Sequence, residues 1–72
     1  MRVTFNRSGN SAYIYLKEIV EGEAVRQHHV DEPHARGMFI LDFDKKGRLI
    51  GIEILDATKA LPPGLLDKAE RI

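Results

Sequence analysis

Residues 39–56 contain the feature that most constrains the fold, since two runs rich in β-forming side chains flank the polar segment Asp44-Lys45-Lys46-Gly47. This segment is typical of a type I turn followed by a glycine in the left-handed region, which joins two antiparallel strands. Both predicted strands carry apolar residues on both sides. The hairpin must therefore be covered on two faces, by the rest of the chain or by another chain.

The predicted turn also sets a pairing register. It places Phe43 opposite Leu49, Leu41 opposite Gly51 and Met38 opposite Ile54, because alternate side chains of a strand point to opposite faces. One face then carries Met38, Ile40, Ile50, Ile52 and Ile54. The other carries Phe39, Leu41, Phe43, Leu49 and Leu55, interrupted by Gly51 and Glu53. A glycine within a strand indicates close packing by a large neighbour, here Phe43.

The remaining segments predict an α+β fold, a small antiparallel β-meander of four to five strands with a short C-terminal helix. Further strands are expected at 2–5, 12–16 and 24–30. A short helix is expected at 57–61, with the Asp56 carboxylate as its N-cap. Residues 1–61 are interpreted as one domain, followed at 62–72 by a Pro-Gly break and a short amphipathic tail.

Size and charge limit the classes of function. A 72-residue chain without cysteine buries only roughly 60% of its unfolded surface and has no disulfide or thiolate site to stabilise it. Association into a homodimer is the expected remedy. Eleven basic and eleven acidic residues argue against nucleic-acid binding. No apolar run approaches the ~18 residues of a membrane span, and no signal-peptide pattern opens the chain, so a soluble cytoplasmic protein is expected.

Three histidines suggest the alternative function, a small metal-binding protein or enzyme that uses His28 or His29 with His34 and nearby carboxylates. His28, His29 and His34 lie near Asp31 and Glu32, and imidazole and carboxylate groups bind zinc or nickel. His28 and His29 are neighbours on a predicted strand, however, and so point to opposite faces. The other interpretation is a solvated, polar edge strand.

The carboxylates do not form an obvious acid–base pair. In the predicted register Asp42 and Glu53 lie on opposite faces, which argues against shared catalysis. Asp44 is explained as a turn residue, and Glu53 as a structural charge that pairs across the sheet or at a subunit contact. The sequence therefore predicts no catalytic residue and no cofactor.

Three segments resemble a small bacterial family, domain of unknown function 2283. They are Ala12-Tyr13-Ile14-Tyr15-Leu16, Leu41-Asp42-Phe43-Asp44 with Gly47-Arg48-Leu49, and Gly51-Ile52-Glu53-Ile54-Leu55-Asp56-Ala57-Thr58. The resemblance covers roughly residues 1–61 and implies a compact antiparallel sheet with a short helix. It implies no activity. Toxin-like genomic neighbours of some members suggest an antitoxin-like partner role. Residues 6–11 replace an acidic loop that is usual in the family.

Together these features predict a non-enzymatic protein-interaction or assembly module. The predicted interaction surface consists of apolar residues from the hairpin and the tail. They are Phe39, Leu41, Phe43, Leu49, Leu55, Leu65, Leu66 and Ile72.

Overall fold

A computed structural model describes all 72 residues as one mostly antiparallel six-stranded sheet with two short helices. The strands are β1 (Arg2–Asn6), β2 (Ser11–Tyr15), β3 (Arg26–Val30), β4 (Met38–Phe43), β5 (Leu49–Leu55) and β6 (Glu70–Arg71). The helices are α1 (Ala57–Ala60) and α2 (Pro63–Asp67). Neither helix has the length or the apolar character needed to cross a membrane.

The sheet has the order β3-β4-β5-β2-β1-β6. The antiparallel, small α+β class is as predicted, but the strand count of four to five and the single helix are too low. The order is also not a simple meander, because β2 pairs with β5 rather than with β3. Residues 16–25 therefore carry the chain from an inner strand to the outer edge. The sixth strand has only two residues and pairs in parallel with β1, so it gives no alternating pattern from which to predict it.

The turn between β4 and β5 forms as predicted. The amide N–H of Gly47 donates to the carbonyl of Asp44 at 3.0 Å, and Gly47 has a φ of 79°. The Asp44 carboxylate organises the turn, since its Oδ1 accepts from the backbone N–H groups of Lys46 and Arg48, each at 2.9 Å.

The predicted register beyond this turn is wrong. Phe43 does lie opposite Leu49, but Asp42 lies opposite Gly51 and Leu41 opposite Ile52. Ile50 is thus an extra residue on β5, which is a β-bulge. The bulge shifts every later pair by one residue. The β4 residues Phe39 and Leu41 therefore share a face with Ile54 and Ile52 of β5, which were predicted to lie on the opposite face.

The C-terminal segment packs against one face of the sheet, which we call the helical face, and the opposite face is called the tyrosine face. The helical face carries the core residues Phe5, Ala12 and Ile54, which pack with Ala57, Leu66 and Ala69 from the C-terminal segment. Phe39, Leu41 and Ile52 belong to the same face. The tyrosine face carries Tyr13, Tyr15, Ile40, Asp42, Gly51 and Glu53.

The start of α1 is capped by a residue distant in sequence. Asp56 precedes the helix but makes no side-chain cap, and its φ of 61° places it in the left-handed region. Instead Asn10, in the turn between β1 and β2, accepts the Ala57 N–H with its carbonyl and the Thr58 N–H with its Oδ1, at 3.0 and 3.1 Å. The expected Asp56 cap is therefore wrong, because tertiary packing brings a better acceptor.

Candidate interaction surface

The helices cover only part of the helical face. The buried core cluster is built from β1, β2 and β5 with the C-terminal segment. On the β3–β4 side, Leu41 and Phe43 are half-buried and lie outside this cluster, and Val30 is 36% exposed. We call Val30, Leu41 and Phe43, together with the neighbouring Arg26 and His28, the open patch.

Pairing between β3 and β4 assembles the open patch. His28 lies opposite Leu41 and Arg26 opposite Phe43, so their side chains share the helical face. The Arg26 guanidinium lies over the Phe43 ring, 5.6 Å from its centroid, as in a cation–π contact. The patch thus has an apolar centre with one cation on its border, a composition found in protein-binding surfaces.

The tyrosine face contains a polar unit made by three adjacent strands. The Tyr13 hydroxyl donates to Oδ2 of Asp42 at 2.5 Å, and the Tyr13 ring passes over Gly51, where a Cβ would lie 2.1 Å from the hydroxyl oxygen. The large neighbour expected at Gly51 is therefore Tyr13 and not Phe43. Oδ1 of Asp42 is buried and accepts no hydrogen bond from the protein.

Burial and the nearby carboxylate both hold the proton on Tyr13. Desolvation is the first cause, followed by the hydrogen bond to Asp42, and together they raise the pKa of Tyr13 well above its ordinary value. Asp42 and Glu53 lie on the same face, contrary to the predicted register. Tyr13, which donates to Asp42 and lies opposite Glu53, was not assigned to these carboxylates from the sequence, because it is the bulge at Ile50 that brings Asp42 and Glu53 to one face.

The other carboxylates have structural surroundings. Asp44 accepts from the backbone N–H of Arg48 and pairs with the Arg48 guanidinium at 2.9 Å, which lowers the pKa of Asp44. Glu53 is half-buried opposite Tyr13 and Ile40. It forms none of the three ion pairs in the structure, which join Arg2 to Glu70, Lys17 to Glu23 and Arg48 to Asp44.

The predicted surface residues fall in three places. Phe39, Leu41 and Phe43 share the helical face, whereas Leu55 lies opposite Met38 on the other side of the sheet. Leu49 is 37% exposed beside the hairpin turn. In the C-terminal segment Leu65 is half-buried, Leu66 belongs to the core and Ile72 is 69% exposed. The structure therefore brings together the three β4 members of the set and Leu49, which lies opposite Phe43, and adds Val30 to them.

The histidines are not gathered into one site. His28 and His29 lie on opposite faces of β3, as expected from strand alternation, and all three histidines are exposed. No group of three or more histidine, aspartate or glutamate side chains is arranged to hold a metal ion. The geometry gives the metal-binding alternative no support.

Comparison with protein-family profiles shows to which family the chain belongs. The profile of the family described as Protein of unknown function (DUF2283) matches residues 2–57. The chain belongs to this family. In this member of DUF2283, the segment that contains α2 and β6 lies beyond the matched region, yet it supplies Leu66 of α2 and Ala69, between α2 and β6, to the core. Searches of curated proteins and of solved structures find no match.

Proposed function

We propose that this chain is a non-enzymatic protein-interaction module of the cytoplasm that binds a second protein through the open patch. The observation that supports this is the incomplete cover of the helical face. Leu41 and Phe43 of β4 are only half-buried beside β3, whose five residues, Val30 among them, are all exposed. Burying accessible apolar surface gains roughly 25 cal/mol per Å², so a matching apolar surface on another protein would bind here.

The bound protein has two candidate forms. A second copy of the chain would supply the burial that a small domain needs. An antitoxin-like role would instead place a small toxin-like protein on the patch, as the family resemblance suggests. The Arg26 guanidinium on the border favours a partner with an acidic group next to its apolar contact.

Substitutions in the patch test this proposal. Leu41→Glu and Val30→Lys place charges in the patch, whereas Val20→Glu places one on an exposed loop residue outside it. Tagged wild-type and variant chains would be used to isolate bound proteins under native conditions, and each retained protein would then be purified and titrated by calorimetry. We expect a defined partner to bind wild type and Val20→Glu, and to bind both patch variants at least about tenfold more weakly, as expected for a charge buried at a contact.

Folding of each variant is checked by circular dichroism, and Val30→Lys is the safer variant because Val30 is already exposed. Equal binding of the partner to the patch variants and to Val20→Glu would refute the role of the patch.

A further inference from the structure

The outer edge of β3 is a second unpaired surface. β3 is the last strand of the sheet on its side, and β4 is its only neighbour. All five of its residues are exposed, so neither face of this strand is covered by another part of the chain. The free backbone groups of such an edge can pair with a further strand.

This edge lacks the usual protection against pairing. Edge strands are commonly blocked by lysines, prolines or bulges. Residues 27–30 are Gln, His, His and Val, with no lysine or proline and no formal charge when histidine is neutral. The formal charges stand at the two ends of the segment: Arg26 is the first residue of β3, and Asp31 and Glu32 follow its last residue, Val30. Oε1 of Glu32 accepts the His34 N–H at 2.8 Å, and Oε2 has no partner within the chain.

Opposite charges at the two ends make the strand complementary to an antiparallel copy of itself. A two-fold axis perpendicular to the sheet at His29 would set Arg26 of one copy opposite Glu32 of the other, twice by symmetry. The same register sets His28 opposite Val30. An axis at His28 would instead set Arg26 opposite Val30 and form no directly opposed charge pair. Charge complementarity therefore selects the axis at His29.

We propose that two copies of this chain pair antiparallel through β3 about an axis at His29, which joins their sheets into one. The pairing uses the backbone edge of β3, whereas the open patch lies on the helical face of the sheet. It therefore goes beyond the proposed function, and each proposal can fail without the other. In the joined sheet the two open patches lie on the same face on either side of the axis, and so form one larger docking surface.

A charge exchange tests the register. Arg26→Glu and Glu32→Arg each replace two opposed pairs by like charges and should weaken dimerisation about tenfold, because two favourable cross-strand charge pairs become two unfavourable ones. The double variant Arg26→Glu/Glu32→Arg restores both pairs and should return the dissociation constant to near that of wild type. Arg7→Glu makes the same charge change on the exposed turn between β1 and β2, and should leave dimerisation unchanged.

Analytical ultracentrifugation over a concentration series measures these four variants, Leu41→Glu and wild type, with circular dichroism as the check on folding. A wild-type chain that stays monomeric throughout, or a double variant that dimerises no better than the single variants, overturns the pairing. A dimer that is broken by Leu41→Glu but not by Arg26→Glu would also overturn it, and would show self-association through the open patch. Pairing of β3 with a strand of a different protein would appear as a monomer alone and a complex sensitive to Glu32→Arg as well as to Arg26→Glu, which likewise refutes the second copy as occupant.

Discussion

At the scale of single residues, Tyr13, Asp42 and Gly51 act as one unit. Gly51 has no Cβ and so leaves room for the Tyr13 ring, while the Tyr13 hydroxyl reaches the Asp42 carboxylate on the next strand but one. Asp42 is 6% exposed, and a carboxylate with so little contact with water requires a hydrogen-bond donor. The unit therefore fixes the relative positions of β2, β5 and β4.

We predict that Tyr13→Phe destabilises the protein by about 1–3 kcal/mol, because it leaves the buried Asp42 carboxylate without its side-chain donor. The free energy of unfolding, measured by urea titration, is the test. Tyr15→Phe is the matched control, since Tyr15 is half-buried and its hydroxyl makes no hydrogen bond to a side chain. In a double-mutant cycle, Asp42→Leu should cost less in the Tyr13→Phe background than in wild type. Strictly additive costs would show that the two side chains are not coupled.

The pH dependence of stability gives a second measurement of the same contact. The raised pKa of Tyr13 means that the folded protein keeps a proton that the unfolded chain loses above about pH 10. The contribution of Tyr13 to the free energy of unfolding is therefore complete below about pH 10 and is lost as the pH rises further. Wild type should lose stability more steeply than Tyr13→Phe in this range. Equal slopes would contradict the assigned environment of Tyr13.

At the scale of elements, local chemistry predicted the central hairpin but not its pairing. Asp44 and Gly47 specify the turn through bonds within four residues, and so the turn can be recognised from sequence alone. The bulge at Ile50 depends on packing across three strands, and no residue pattern in β5 indicates it. Asn10 shows the same limit, because its bonds to α1 span 48 residues and replace a cap that Asp56 could have provided locally.

Two glycine substitutions, one in a crowded position at Gly37 and one in an open position at Gly64, test how closely the chain packs against β5 and α1. A Cβ on Gly37 would lie 2.4 Å from the Leu55 carbonyl oxygen and 2.7 Å from the Ala60 Cβ, whereas one on Gly64 in α2 would have no atom within 4 Å. We expect Gly37→Ala to cost about 1–3 kcal/mol, because backbone atoms of β5 would have to move. We expect Gly64→Ala to gain up to about 1 kcal/mol, because it reduces the freedom of the unfolded chain.

Thermal unfolding of the two glycine variants should therefore shift in opposite directions from wild type. A Gly37→Ala protein as stable as wild type would show that α1 and β5 are not packed as closely as the structure places them at this position.

At the scale of the whole molecule, the sequence predicted the class of fold and the existence of apolar hairpin surface. It did not predict the strand order, because pairing of β2 with β5 joins segments separated by a long connection and leaves no local pattern. The unpredicted strand pairing also affected the predicted interaction surface. Phe39, Leu41 and Phe43 lie on one face, and Leu49 lies opposite Phe43. Leu55 was assigned to that face through the register error, and Val30 was omitted because its pairing with Phe39 was not predicted.

The C-terminal segment has a larger part in this molecule than its position beyond the DUF2283 match suggests. α2 places Leu66, which is 6% exposed, against Phe5, Ala12 and Ile54. β6 pairs with β1, and Ile72 N–H donates to the Phe5 carbonyl at 3.1 Å. Without residues 62–72, the core would be open to water on one side, in a domain already close to the lower size limit for stability.

We therefore predict that Leu66→Ala destabilises the protein by about 2–5 kcal/mol, the range for removing a buried leucine side chain. Leu65→Ala is the matched control, because Leu65 is the adjacent residue of α2 and is only half-buried; it should cost clearly less. Urea unfolding of both variants measures the difference, and a chain ending at residue 61 should unfold at lower urea than either variant. Equal costs at the two positions would mean that α2 does not insert Leu66 into the core. A truncated chain as stable as wild type would show that residues 1–61 fold independently, with the C-terminal segment adding no stability of its own.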